Sequence, residues 1–171
     1  MLSKKIEKAL NQQVASESAS SQYYLAMASW AETEGLNGIA EFLYTHSDEE
    51  RTHMLRLIRY INERGGKAVV TELKQPPKSF KSIKDIFESL LNHEIGISKE
   101  INELVDICLQ EKDYTTHNFL QWYVAEQLEE EALARAIMDK LKLIGDDKGG
   151  LYLFDRDIES MTVTSIAGSP K

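Results

Sequence analysis

Proline and glycine are nearly absent before residue 145 and fall at only a few places: Gly35, Gly38, Gly65-Gly66, Pro76-Pro77 and Gly96. These are the residues that stop helices, so their placement cuts the chain into four long helical segments. The first runs from about Ser3 to Glu34 and ends at Gly35. Asn37 is the expected N-cap of the second, which runs to about Arg64. Ser82-Ile83-Lys84-Asp85 has the form of a capping box and opens the third. Asp113 is expected to cap the fourth, which Gly145 closes. The link from Glu34 to Gly38 is short, so the first two helices should lie side by side and antiparallel. Residues 65–81 form a long link that spans roughly 55 Å when extended. The second helix is only about 42 Å long, so this link can cross the whole bundle.

Each segment carries an apolar stripe at helical spacing, interrupted in its middle. The second reads Ile39, Phe42, Leu43, His46, Glu50, His53, Leu57, Ile61. Glu50 and His53 lie three apart, hence about one turn apart on one face, where both can reach the same metal ion. For this segment alone a satisfied polar pair inside a bundle competes with that reading. The first stripe reads Ile6, Leu10, Gln13, Glu17, Ser20, Tyr24, Met27, Ala31. The third reads Ile83, Phe87, Leu90, Glu94, Ile97, Ile101, Leu104, Cys108. The fourth lies near Leu120, Val124, Gln127, Glu130 or Glu131, Ala134, Met138 and Leu141.

Depth along each helix ties these interruptions together. Glu17 lies 14 residues after Ser3, Glu50 13 after Asn37, Glu94 12 after Ser82, and Gln127 14 after Asp113. At about 1.5 Å per residue all four are roughly 18–21 Å from their helix starts. Mid-length positions meet at one level whether neighbouring helices run parallel or antiparallel. Glu17, Glu50, His53, Glu94 and Gln127 should therefore converge in one layer of a four-helix core. Buried carboxylates without cations would repel one another and resist ionisation, and one or two cations between them remove both problems. A carboxylate-rich set with a single imidazole favours iron or manganese, and Glu50 is the natural bridge.

Composition narrows the rest. With 171 residues the chain is expected to be one domain, residues 1–145 forming the bundle and 146–171 a short fifth helix and tail of the same domain. A formal charge of −8 disfavours nucleic acid and suits cations. Cys108, the single cysteine, leaves no partner for an intrachain disulfide and no Cys-rich metal site. No apolar run approaches a membrane span, and no signal core follows Met1, so a cytoplasmic location is expected. Around the fourth stripe lies an acidic cluster, Glu126, Glu129, Glu130 and Glu131. Solvation alone could explain such a run, and for Glu131 that reading is preferred.

The pattern Glu17, Tyr24, Glu49-Glu50-x-x-His53, Glu94 and Glu126-Gln127-x-x-Glu130 resembles bacterial non-haem ferritin over nearly the whole chain. The resemblance implies an all-α fold: a ferritin-like four-helix bundle with a long crossover between its second and third helices and a short fifth helix. It implies an iron-storage ferroxidase that oxidises Fe²⁺ with dioxygen or hydrogen peroxide. One iron would sit at Glu17, Glu50 and His53 and a second at Glu50, Glu94 and Glu130, with Gln127 and Tyr24 alongside. A third would sit at Glu49, Glu126, Glu129 and Glu130. Bacterioferritins and rubrerythrins repeat E-x-x-H on the fourth helix, where this chain has Gln127 and Glu130. The haem methionine of bacterioferritin would fall at Arg51, so no haem is expected. Rival readings are a non-storage di-iron oxidase or peroxidase and a metal-free interaction module.

Leu151, Phe154, Ile158 and Met161 recur at helical spacing after the glycines that follow Gly145. A stripe this short cannot hold itself together and must pack on the bundle or on a partner subunit. Packing between subunits is the expected use. The resemblance implies a homo-oligomeric shell of 24 subunits, with this helix near the four-fold axes. The residues from Thr162 to Lys171 are expected to be poorly ordered or peripheral.

Overall fold

The computed structural model describes residues 1–161; the expectation for the tail from Thr162 falls outside them. Five helices follow one another: α1 (Lys4–Thr33), α2 (Asn37–Glu63), α3 (Ile83–Gln110), α4 (Tyr114–Ile144) and α5 (Lys148–Ile158). No strand occurs among the described residues. Caps stand at the starts of α1, α3 and α4, those on α3 and α4 as expected. Ser3 accepts from the Ile6 amide, Ser82 from Asp85 and Asp113 from Thr116, each filling one of the orphan donors of a helix start. Gly65 ends α2 with φ +73°, a left-handed conformation that costs other residues strain.

Asn37 is not the N-cap of α2. Leu36 holds that position and makes no side-chain bond. The cap comes from far along the chain, where Asp155 Oδ1 on α5 accepts from the Ile39 amide at 2.9 Å. A Cβ on Gly38 would meet the Asp155 carbonyl oxygen at 1.7 Å, so glycine is what lets α5 lie against the start of α2.

The core has two apolar ends. One joins Leu2, Ile6 and Leu10 of the N-terminal segment and α1 with Leu57 and Ile61 of α2, Ile101 and Cys108 of α3, and Leu120 and Tyr123 of α4. The other joins Met27 and Ala31 with Ile39 and Phe42, Ile86 and Phe87, Ala134 and Ile137, and Phe154 and Ile158 of α5. The starts of α2 and α3 share one end, so these helices run parallel, and α1 and α4 run against them. The long link therefore crosses the length of the bundle as expected. Asn11 of α1 ties down its first part, donating to the Lys67 carbonyl at 3.0 Å and accepting from the Val69 amide at 2.7 Å. Phe80 near its end packs edge-on against Tyr23 and Trp30.

Three expectations about facing need correction. On α4 the inward residues are Leu120, Tyr123, Gln127, Glu130, Ala134 and Ile137; Val124, Met138 and Leu141 are only half-buried flanks. On α3, Ile86 takes the buried place and Ile83 the flank. On α5, Phe154 and Ile158 do not serve a partner subunit, because both are buried in this chain's own core beside Phe42 and Phe87. A stripe steps by three or four residues and either step keeps the period, so sequence leaves such one-residue choices open.

Candidate metal centre

Between the two apolar ends lies one polar layer. Glu17 comes from α1, Glu50, His53 and His46 from α2, Glu94 from α3, and Gln127 and Glu130 from α4, and none of them is more than 5% exposed. Convergence at mid-depth holds for every residue placed there by helix position. Glu130, not Glu131, faces in; Glu131 accepts from Ser98 at 2.5 Å and pairs with Arg135 at 2.7 Å.

Glu17, Glu50 and His53 each offer one ligand atom within 4.8 Å of the others. His53 Nδ1 stands 3.9 Å from Glu17 Oε2 and 3.9 Å from Glu50 Oε2. Both of those oxygens are buried, and among the described residues neither has a hydrogen-bond partner. A carboxylate oxygen in that condition is costly unless a cation meets it. Glu94 differs. Its Oε1 accepts from the Tyr24 hydroxyl and its Oε2 from Gln127 Nε2 at 3.0 Å.

A second group that could hold a cation lies alongside and consists of His46, Glu49 and Glu130. His46 Nε2 is 3.6 Å from Glu130 Oε2, and its Nδ1 is 3.9 Å from Glu49 Oε2. Glu49 Oε2 and Glu129 Oε2 are also buried and unpartnered. Glu126 reaches His53 Nε2 at 4.0 Å. His46 and Gln13 lie on inward stripes in the sequence, which alone gives neither a role. Only three-dimensional proximity reveals what each touches. A depression of about 310 Å³ lined by Thr45, Asp48, Glu49, Thr52, His53 and Trp122 opens from solvent to this side of the layer. A cavity of about 880 Å³ lies away from the layer, where the start of α3 meets the α4–α5 turn.

The charges push in one direction. Burial, then the Glu17 and Glu94 charges, holds the Glu50 carboxyl well above the usual carboxylate range. Burial and the Glu130 charge lift Glu94 to about 7 despite its hydrogen bonds from Tyr24 and Gln127. Burial, then Glu130, Glu129 and Glu49, lifts Glu126 to about 7. Burial lowers His53 to about 4, favouring the neutral imidazole that metals bind. Burial would lower His46 too, but Glu130 and Glu49 outweigh it and raise it.

A folded carboxyl above its unfolded value of about 4.3 holds more protons than the unfolded chain, so stability falls as pH rises through that window. His53 acts oppositely, but only below its unfolded value of about 6.5. The metal-free protein should therefore melt at lower temperature at pH about 8.5 than at about 7, and saturating Zn²⁺ should remove the difference. Calorimetric melting at the two pH values, with and without Zn²⁺, checks this.

The family model for the ferritin-like domain matches residues 7–144. The chain belongs to the ferritin family. It is 48% identical to the bacterial non-heme ferritin of Campylobacter jejuni, an alignment covering 96% of this chain and 98% of the relative. It is 38% identical to that of Escherichia coli O6:H1, covering 94% and 98%. A solved open pore ferritin from Archaeoglobus fulgidus superposes with a TM-score of 0.91 at 41% identity, covering 93% of this chain and 98% of that one. In this ferritin fold the polar layer is the feature that apolar packing cannot explain. No described helix is long and apolar enough to cross a membrane.

Proposed function

We propose that this ferritin stores iron as a ferric mineral and that the polar layer is its ferroxidase centre. The observation that carries the reading is the set of buried, unpartnered oxygens on Glu17 and Glu50, each 3.9 Å from His53 Nδ1. Two Fe²⁺ ions are the substrate. The first is held by Glu17, Glu50 and His53, the second by Glu50, Glu94 and Glu130 with Gln127 alongside, and Glu50 bridges. When bound, the iron supplies electrons to dioxygen or hydrogen peroxide.

The protein's own part is electrostatic. Carboxylates clustered away from water stabilise Fe³⁺ more than Fe²⁺, which makes the electron easier to remove. Glu94 would hold its ion with oxygens that already accept from Tyr24 and Gln127, so these two donors orient it and it gives up only a proton as iron arrives. Glu49, Glu126, Glu129 and Glu130 form a third site, to which His46 adds an imidazole 3.6 Å from Glu130. The oxidised ions leave from that side for the interior of a 24-subunit shell in the cytosol. The acidic balance favours that traffic of cations.

Anaerobic Fe²⁺ titration followed by calorimetry tests the assignment. Wild-type protein should bind the paired ions tightly and a further ion more weakly. Glu126→Ala combined with Glu129→Ala should lose only the weaker binding. Unchanged stoichiometry in the double variant would return those residues to a solvated face.

A further inference from the structure

Gln13 lies one turn before Glu17 on the inward stripe of α1 and is 2% exposed. Its Nε2 donates to Glu17 Oε1 at 2.8 Å. The stripe around it, Ile6, Leu10 and Val14 among its buried members, is apolar. Packing would be served as well by leucine, and burying an amide costs free energy unless the amide is used. Among the described residues its side chain bonds to Glu17. The bond leaves Glu17 Oε2 as the free oxygen, facing His53 Nδ1 at 3.9 Å.

We infer that Gln13 is a positioning residue for the first metal. It occupies one oxygen of Glu17 and fixes the carboxylate so that the other oxygen is presented, singly and in one orientation, to a cation shared with Glu50 and His53. Glu94 is likewise held by the amide of Gln127, so each of these two carboxylates has an amide donor on one oxygen. A ligand whose supporting hydrogen bond is removed loses about 10–100-fold in metal affinity.

This inference rests on the ferroxidase reading of the same layer, and the test separates the two. Co²⁺ is titrated into the full-length, metal-free protein by calorimetry and by its visible absorption. Gln13→Met keeps the length and volume of the side chain and removes the donor. It should weaken one class of Co²⁺ site by about 10–100-fold, leave the other class unchanged, and alter the absorption of the weakened class as Glu17 Oε1 becomes available to the metal. Co²⁺ binding equal to wild type, or a loss spread evenly over both classes, would overturn the role of Gln13. Glu17→Gln is the control: if it too binds Co²⁺ as wild type does, the metal centre itself is misassigned and the inference falls with it. Should Gln13→Met fail to fold by circular dichroism, Gln13→Leu continues the apolar stripe and carries the same test.

Discussion

Glu50→Ala should lower the initial rate of Fe²⁺ oxidation at least a hundredfold while the bundle stays helical. Losing a partner that merely supports a metal ligand costs about 10–100-fold, and Glu50 is the proposed bridge between both ions. Stability should not follow activity down. Without metal, the Glu50 carboxyl is pushed well above its ordinary range by burial and by the Glu17 and Glu94 charges, so its ionised form works against the fold. Glu50→Gln keeps the volume and removes the charge, and should melt at or above wild type when metal-free. Stopped-flow rates equal to wild type in either variant would remove Glu50 from the chemistry.

Phe154→Asp should unfold the subunit, not merely loosen an assembly. Phe154 packs edge-on against Phe87 with ring centroids 6.1 Å apart and shares a core with Ile39 and Phe42. Truncating a buried phenylalanine costs about 3–5 kcal/mol, and an unpaired buried charge adds to that. Displacing α5 also takes Asp155 from the start of α2, where loss of a cap costs roughly 1 kcal/mol. On the outer side of α5, Tyr152 and Leu153 are 69% and 47% exposed. Leu153→Asp should leave the subunit's unfolding free energy within about 0.5 kcal/mol of wild type and lower the particle mass. Guanidinium unfolding together with light scattering separates the two variants.

The layer of acidic residues was legible because helix geometry is local. Once breakers fix four helix starts, a residue's depth follows from counting, and Glu17, Glu50, Glu94 and Gln127 fall at one level. Other features were not legible, three of them because each depends on a distant partner. The start of α2 is capped by Asp155, and no rule about neighbours in sequence finds a cap 116 residues away. The stripe on α5 reads the same whether it covers its own bundle or another subunit, and the fold resolves it inward for Phe154 and Ile158. His46 and Gln13 sat on inward stripes as polar residues without a purpose until Glu130 and Glu17 were found beside them. On α4 the choice of Glu130 over Glu131, and of Tyr123 over Val124, turned on a single residue of phase that the apolar pattern leaves undetermined.

Aerobic loading of the wild-type protein with Fe²⁺, followed by size separation with iron and protein measured in the same fractions, tests the central claim most directly. Storage in a shell predicts a large compact particle that carries far more iron per chain than the groups proposed to hold its three ions could bind. A monomer or dimer whose iron stops at the capacity of those groups would contradict storage and leave a non-storage di-iron oxidase in its place.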